Sequence, residues 1–239
     1  MALVSEIQEN VFRINLTRPG AALTYSLFVI RDERPTLIET SFNKRFGEVR
    51  DAVASIIDPR TIRYLVAPHF EADECGSINQ FLALAPEAVP VCSPICARGS
   101  MGDWAIRDPM AVEDNQTLDL GQRRLRFLIT PQIHQWDSLL VYEEEGKILF
   151  SSDLFTQPGE RDPVIYEDLT EEMVRSYQRS MLLPSRAHLD AALDRIERLD
   201  LKLIAAHHGS VVGAHFDRYI RALRDNEVAG LVEPGGPTA

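Results

Sequence analysis

The sequence has few cysteines and no long hydrophobic run. Its 3 cysteines, Cys75, Cys92 and Cys96, cannot all pair within the chain, and 239 residues can bury a core without disulfides. We therefore expect reduced thiols and a cytoplasmic protein. No apolar stretch approaches the roughly 20 residues of a membrane-spanning helix. The N-terminus also lacks the basic and then apolar pattern of a secretory signal.

Positive charge is also scarce. Lys and Arg number 25 against 36 Asp and Glu, which gives a formal net charge of −11 at pH 7. No run of basic residues interrupts this excess, and such a surface repels phosphate backbones and anionic lipids. We therefore expect neither a nucleic-acid partner nor a membrane partner. Hydrophobic residues at 45% and charged residues at 26% are instead typical of a globular protein.

Strand-like segments dominate the first third of the chain, and helical patterns alternate with strands afterwards. Periodicity and composition predict strands at 11–16, 23–30, 36–40, 62–67, 125–129, 138–142, 147–150 and 201–206. They predict helices at 46–57, 77–84, 187–199 and 216–224, with Ser185 as the N-cap of the third. Without an internal linker or repeat, the pattern favours one α/β domain over residues 1–228 and a flexible tail over 229–239.

Side chains that bind metals follow several of these predicted strands. His69, Glu71 and Asp73 come just after the strand at 62–67, and alternate residues of an extended loop face the same way. The candidate ligands are His69, Glu71, Asp73, Glu74, His134, Asp153 and His208. So many ligands fit two metal ions with a shared carboxylate better than one ion. Oxygen and imidazole donors without thiolate favour iron or manganese over zinc.

Four segments resemble, in order, the motifs of flavodiiron proteins, a branch of the metallo-β-lactamase superfamily. HFEADE at 69–74 resembles the His-x-Glu-x-Asp-His motif of that family. The other three segments are TPQIHQWDS at 130–138, FSSDLF at 150–155 and AHHG at 206–209. The resemblance extends over nearly the whole chain. It implies a single-domain αββα metallo-β-lactamase sandwich, with the metals at the strand-end edge between the two sheets.

The resemblance also implies two iron ions. It assigns His69, Glu71 and His134 to one iron, Asp73 and His208 to the other, and Asp153 as the bridge between them. Glu74 stands where the family usually has a ligand His, so this carboxylate either ligates the second iron or leaves it an open position. Glu71, where the zinc hydrolases of the superfamily have His, marks the oxygen-reactive diiron branch.

Four further residues are candidates for the surroundings of the site. His207 would contact a ligand or pack against one. Phe70 and Trp136 would exclude water from the metals, although packing in a core explains them equally well. Cys75 either faces the site or is a buried thiol. His188 and His215 are expected outside it, on the surface and near a helix start.

These features predict a non-haem diiron protein that binds dioxygen or nitric oxide, either as an oxygen-binding or sensing protein or as a reductase of these gases. Flavodiiron proteins carry FMN in a flavodoxin-like domain, and the sequence shows no phosphate loop for it, so we expect no FMN in this chain. A reductase would then use a separate flavin or rubredoxin-like electron donor. The alternatives are a dinuclear hydrolase of a thioester, lactone or phosphoester, and a signalling module that docks a partner. A homodimer is left open.

Overall fold

Two seven-stranded sheets pack face to face, and helices cover both outer faces. The structure is a computed structural model, and it describes residues 2–17, 22–159 and 161–230. This arrangement confirms the predicted αββα sandwich. Residues 231–239 of the predicted tail lie outside the described part of the chain.

The first sheet is built from the N-terminal half, with its strands in chain order. The first four strands pair antiparallel, and the fourth to the seventh pair parallel. They are β1 (Ala2–Gln8), β2 (Val11–Leu16), β3 (Tyr25–Ile30), β4 (Thr36–Ile38), β5 (Tyr64–Val66), β6 (Val89–Cys92) and β7 (Met110–Ala111). Because β4 and β5 are parallel neighbours, the loops that follow them leave the same edge of the sheet.

The second sheet has the order β12-β14-β13-β11-β10-β9-β8. Its strands are β8 (Thr117–Asp119), β9 (Arg124–Ile129), β10 (Leu139–Glu143), β11 (Ile148–Ser152), β12 (Val164–Ile165), β13 (Leu203–Ala206) and β14 (Val211–Val212). Strands β11 and β13 pair in parallel near the centre of the sheet. The residues that follow them therefore lie side by side, although about 50 residues separate them in sequence.

Eight α-helices occur in the described part of the chain, with two 3₁₀ helices at Asn43–Arg45 and Pro59–Thr61. The α-helices are α1 (Phe46–Ala54), α2 (Ala72–Cys75), α3 (Ile78–Leu84), α4 (Pro94–Arg98), α5 (Ser100–Trp104), α6 (Thr170–Ser180), α7 (Arg186–Ile196) and α8 (Phe216–Asp225). Apolar residues of α1, α3, α4 and α5 pack on the first sheet, and those of α6, α7 and α8 pack on the second. The longest of these helices have 11 residues, and none has both the length and the apolar character needed to cross a bilayer.

The core between the sheets follows from the two-residue period of the strands. In β3, Leu27 and Val29 face the helices, whereas Phe28 and Ile30 face the second sheet. The ring of Phe28 meets that of Phe150 in β11 with centroids 5.0 Å apart. Apolar contacts therefore join the two sheets, and the loops at their edge are free to carry polar side chains.

Most predicted elements are present with shifted ends. The helix predicted at 46–57 ends at Ala54, and the strand predicted at 36–40 ends at Ile38 because Glu39 turns into the left-handed region at φ 65°. Ser185 caps α7 as predicted, since its hydroxyl accepts from the N–H of His188. The sequence pattern does not predict β1, although that strand has 7 residues. It also does not predict the short elements β6, β7, β8, β12, β14, α2, α4 and α5, which have too few residues to display a period.

Tyr177 of α6 ties the loop after β11 to the outer helices. Its buried hydroxyl donates to the carbonyl of Asp153 and accepts from the N–H of Thr156, 3.1 Å away. We expect Tyr177→Phe to lower the free energy of unfolding by about 1–3 kcal/mol, because the buried Thr156 N–H then has no partner. Urea unfolding followed by circular dichroism measures this. Tyr166→Phe is the control, because Tyr166 is 67% exposed; equal losses in the two variants would contradict the prediction.

Candidate metal centre

Loops from both sheets bring polar side chains to one edge of the sandwich. The parallel pairs β4–β5 and β11–β13 all end there, and the loop after β9 reaches the same place. The side chains that meet there are Glu39, His69, Glu71, Asp73, Glu74, His134, Asp153, His207 and His208. All seven predicted ligands are in this set.

Four predicted ligands form the first donor group, which consists of His69, Glu71, His134 and Asp153. Glu71 Oε2 lies 2.8 Å from His134 Nε2 and 3.1 Å from His69 Nε2. Asp153 Oδ2 faces the same two nitrogens at 3.4 and 3.8 Å. Two imidazoles and two carboxylates therefore point at one place.

Asp73, His207 and His208 form the second donor group. Asp73 Oδ2 lies 3.7 Å from His207 Nε2 and 3.9 Å from His208 Nε2. The other carboxylate oxygen of Asp153, Oδ1, is 3.2 Å from His208 Nε2. Asp153 thus presents one oxygen to each donor group, which is the arrangement of a carboxylate shared between two sites.

The segment after β5 is not the extended loop that the sequence predicts. Glu71 has an extended backbone, but α2 begins at Ala72, and the N–H of Cys75 donates to the carbonyl of Glu71 at 2.9 Å. This helical turn rotates Asp73 away from Glu71. For that reason the three motif residues divide between two donor groups instead of converging on one.

Each histidine of the centre is held through Nδ1 and directs Nε2 inward. His134 Nδ1 lies 3.2 Å from the carbonyl of Leu182, and His208 Nδ1 lies 2.8 Å from that of Thr24. His69 Nδ1 faces Ser152 Oγ at 3.1 Å. Acceptors of this kind fix the ring orientation and the tautomer of histidines that bind metals.

Glu74 lies beside Nδ1 of His69, whereas Glu71 and Asp153 face Nε2 of the same ring. Its Oε2 is 3.1 Å from His69 Nδ1 and accepts from the N–H of His69 at 3.0 Å, while Oε1 accepts from the hydroxyl of Ser152. The carboxylate is buried. In this position Glu74 orients His69, and the structure does not bring it to Asp73 and His208.

The acidic surroundings shift the pKa values of the centre strongly. Burial lowers the pKa of His69, but the carboxylates of Glu74, Glu71 and Asp153 outweigh it and raise that pKa to about 10. Hydrogen bonds from His134 and His69 lower the pKa of Glu71. Burial raises the pKa of Glu74 to about 8. The carboxylates of the centre therefore favour positive charge beside them, whereas burial disfavours the charged form of Glu74.

The donor atoms fit metal ions. His207 Nε2 is buried in the centre and forms no hydrogen bond. A buried polar atom normally has a partner, and a metal ion held in the centre would supply one. On the assignment that the family resemblance implies, the first group would hold one ion, and Asp73 and His208 would hold a second beside it.

The other candidates lie around this centre. The thiol of Cys75 is buried and donates to the carbonyl of Glu71 at 3.2 Å, so it contacts the backbone of the motif. Phe70 is half-buried, and its N–H donates to Asp137. Trp136 is 51% exposed, so it does not pack in the core. His188 and His215 are exposed and distant from the donor groups.

Three residues that contact the centre are absent from the sequence prediction. They are Glu39, Ser152 and Gln135; the amide of Gln135 donates to Glu71 Oε2 at 3.3 Å. Ser152 ends β11 directly before Asp153, and Glu39 directly follows β4. A polar residue at the end of each predicted buried strand is the signal that could have identified both.

Comparison with protein families and curated proteins gives consistent matches. The model described as "ODP family beta lactamase" matches residues 23–209. The flavo-diiron protein FprA2 of Clostridium acetobutylicum is 28% identical over 227 residues, covering 87% of this chain and 56% of that protein. The rubredoxin-oxygen oxidoreductase of Megalodesulfovibrio gigas is 32% identical over 139 residues, covering 56% and 34%. The chain thus spans about half of the first relative and about a third of the second.

Solved structures share the fold. A fragment of the putative diflavin flavoprotein A 5 of Nostoc sp. PCC 7120 superposes with a TM-score of 0.83 at 24% identity and covers 94% of both chains. The rubredoxin oxygen:oxidoreductase of Desulfovibrio gigas superposes with a TM-score of 0.82 at 21% identity, covering 93% of this chain and 61% of the other.

Substitution of Glu71 tests the metal preference of the first donor group most directly. We expect Glu71→His to raise the zinc-to-iron ratio by about tenfold, or ~1.4 kcal/mol in relative affinity, because imidazole replaces an oxygen donor. The measurement is metal content after anaerobic exposure of metal-free protein to equimolar Fe²⁺ and Zn²⁺. Glu227→His places the same side chain at an exposed position and is the control. An unchanged ratio in the Glu71 variant would contradict the assignment.

Proposed function

The chain belongs to the ODP family of β-lactamases, and from its donor groups we propose that it is a non-haem diiron protein that binds dioxygen or nitric oxide. Its curated relatives include proteins named flavo-diiron protein and rubredoxin-oxygen oxidoreductase. In this proposal His69, Glu71 and His134 hold one iron, Asp73 and His208 hold the second, and Asp153 bridges them.

The position of Asp153 is the observation that carries the proposal. One carboxylate oxygen faces His134 at 3.4 Å and the other faces His208 at 3.2 Å. Its side chain is buried, and its loop is held by Tyr177. A mononuclear site would need one of these oxygens, whereas a pair of neighbouring ions uses both.

The donor chemistry supports iron. Three carboxylates, from Glu71, Asp73 and Asp153, join the histidines, and the described residues place no thiolate in either donor group. Hard oxygen donors with imidazole suit iron and manganese, and the three negative charges stabilise the higher oxidation state of a metal. Bound iron would supply reversible one-electron chemistry toward a diatomic gas.

The side chains of the centre differ in how far they are exposed to solvent. The side chain of His69 is fully buried and that of Asp153 is 7% exposed, which excludes water from the inner side. The side chain of Glu71 is 41% exposed and that of His134 is 15% exposed, so the centre opens to solvent on their side. A small gas would reach the metals there without a large substrate cleft.

The proposal includes two modes of action. Without an electron donor, the protein binds dioxygen and serves as an oxygen-binding or sensing protein. With a donor it reduces the gas, and the name of the Megalodesulfovibrio gigas relative suggests a rubredoxin-like or flavin-containing partner. A pair of irons held by these residues would supply two electrons to one bound molecule.

Metal analysis followed by oxygenation tests the proposal. Protein purified without oxygen should contain two irons per chain and develop a new visible charge-transfer band in air. Asp153→Asn should lose the band, because the shared carboxylate loses a charge and an oxygen donor. His188→Ala, at an exposed histidine, should retain both irons and the band.

The hydrolase alternative predicts the opposite pattern. Two zinc ions per chain, no colour in air and turnover of a nitrophenyl ester or thioester would overturn the diiron proposal. Oxygen consumption by the prereduced protein separates the two modes of action. A binding protein takes up at most about one dioxygen per pair of irons, whereas a reductase continues for as long as electrons are supplied.

A further inference from the structure

His207 presents a buried nitrogen that the ligand assignment above does not use. Its side chain is 0% exposed, and Nε2 has no hydrogen-bond partner among the described residues. Leaving such an atom unsatisfied is unfavourable, and nearly all buried ring nitrogens of proteins have a partner. The position of Nε2 inside the centre identifies what that partner would be.

The distances around His207 Nε2 match those of donors on one ion. Nε2 lies 3.7 Å from Asp73 Oδ2, and His208 Nε2 lies 3.9 Å from the same oxygen. Donors bound at ~2.0–2.2 Å from one metal ion lie about 3–4 Å apart. The His207 and His208 rings have centroids 4.5 Å apart at 64°, so neither stacks flat over the other.

The opposite nitrogen of His207 is surrounded by acceptors. The carbonyl of Ser26 is 2.8 Å from Nδ1, and the carboxylate of Glu39 contacts it still more closely. Nδ1 therefore carries the proton, which leaves the Nε2 lone pair free in the neutral ring. A carboxylate behind a histidine in this way raises its basicity as a metal ligand.

Glu39 is held in position at an energetic cost. It is 1% exposed and adopts the left-handed region at φ 65°, where non-glycine residues are uncommon. Its N–H donates to the carbonyl of Val66 at 2.9 Å, which fixes this turn against β5. Strained backbone of this kind concentrates at functional sites. Here it places the carboxylate against His207.

Without His207, the two ions would have different numbers of protein donors. The first has four donors in His69, Glu71, His134 and the shared Asp153, whereas the second has only Asp73, His208 and Asp153. Glu74, the next residue of the motif, is turned toward His69 Nδ1. His207 Nε2 would bring the second ion to four protein donors.

We propose that His207 is a ligand of the second metal ion through Nε2, and that Glu39 is the positioning residue that holds it. The inference rests on the two-ion centre proposed above. It makes the neighbours His207 and His208 ligands of the same ion, with Nδ1 of each held by a carbonyl at the start of β3, that of Ser26 in the strand and that of Thr24 directly before it.

Cobalt titration of the metal-free protein tests this, with His207→Asn as the variant. The asparagine amide keeps a donor near the position of Nδ1 and removes Nε2. The wild type should take up two Co²⁺ per chain, with two affinities in a chelator competition. In His207→Asn the first Co²⁺ should bind as in the wild type, and the second should bind at least about 100-fold more weakly.

The outcomes separate the two proposals. A wild type that binds fewer than two ions overturns the two-ion centre itself. A wild type that binds two ions, together with a folded His207→Asn variant that binds both equally well, overturns only the role of His207. Circular dichroism of the metal-free variant establishes folding, and His188→Asn, at an exposed histidine, is the matched control.

Glu39→Gln tests the positioning role separately. The amide preserves the shape of the side chain and removes the charge behind Nδ1. We expect the second Co²⁺ to bind about 10–100-fold more weakly, with a changed visible absorption spectrum, and the first to be unaffected. Weakening of the first ion instead, or no weakening at all, would contradict the proposed role of Glu39.

Discussion

The carboxylate of Asp153 is the contact on which both donor groups depend, because each of its oxygens faces a different group. It follows β11, a central strand of the second sheet, and its carbonyl accepts from the hydroxyls of Tyr177 and Thr156. The site therefore inherits its geometry from the parallel pairing of β11 and β13 and from the packing of α6. A displacement of either would separate Asp153 from His208.

The two sheets contact each other differently in the core and at the metal edge. In the core the contacts are apolar, as between Phe28 and Phe150. At the edge, the guanidinium of the buried Arg13 in the first sheet donates to Ser26 and to the carbonyl of Gly209, directly after His208. Apolar packing sets the distance between the sheets, and these polar contacts fix the position of the His207-His208 segment relative to the first sheet.

The architecture and the placement of the candidate ligands could be predicted from the sequence to a large extent. Alternating strands and the resemblance in four motifs lead to the sandwich, and all seven candidate ligands lie at its edge. The reason is physical, since parallel neighbours end at a common edge whatever their separation in sequence. Comparison with known proteins confirms the family.

Side-chain direction could not be predicted in the same way. The turn that begins at Ala72 sends Asp73 and Glu74 in directions that an extended motif would not. The hydroxyl of Ser152, 78 residues away in sequence, donates to Glu74 and helps to fix its direction. The left-handed backbone at Glu39 could not be predicted from the residue itself, because glutamate does not favour that conformation. Which nitrogen of His207 faces the centre depends on Ser26, which lies 181 residues away in sequence.

The order of the donors along the chain has a consequence for when metal can be acquired during synthesis. His69, Glu71, Asp73, His134 and Asp153 all emerge from the ribosome before β13, which carries His207 and His208 behind it. A nascent chain that ends before residue 203 contains every residue of the first donor group, but only two donors of the second, Asp73 and the shared Asp153. On the proposed assignment, the second site therefore has its full set of donors only when β13 has taken its place in the sheet.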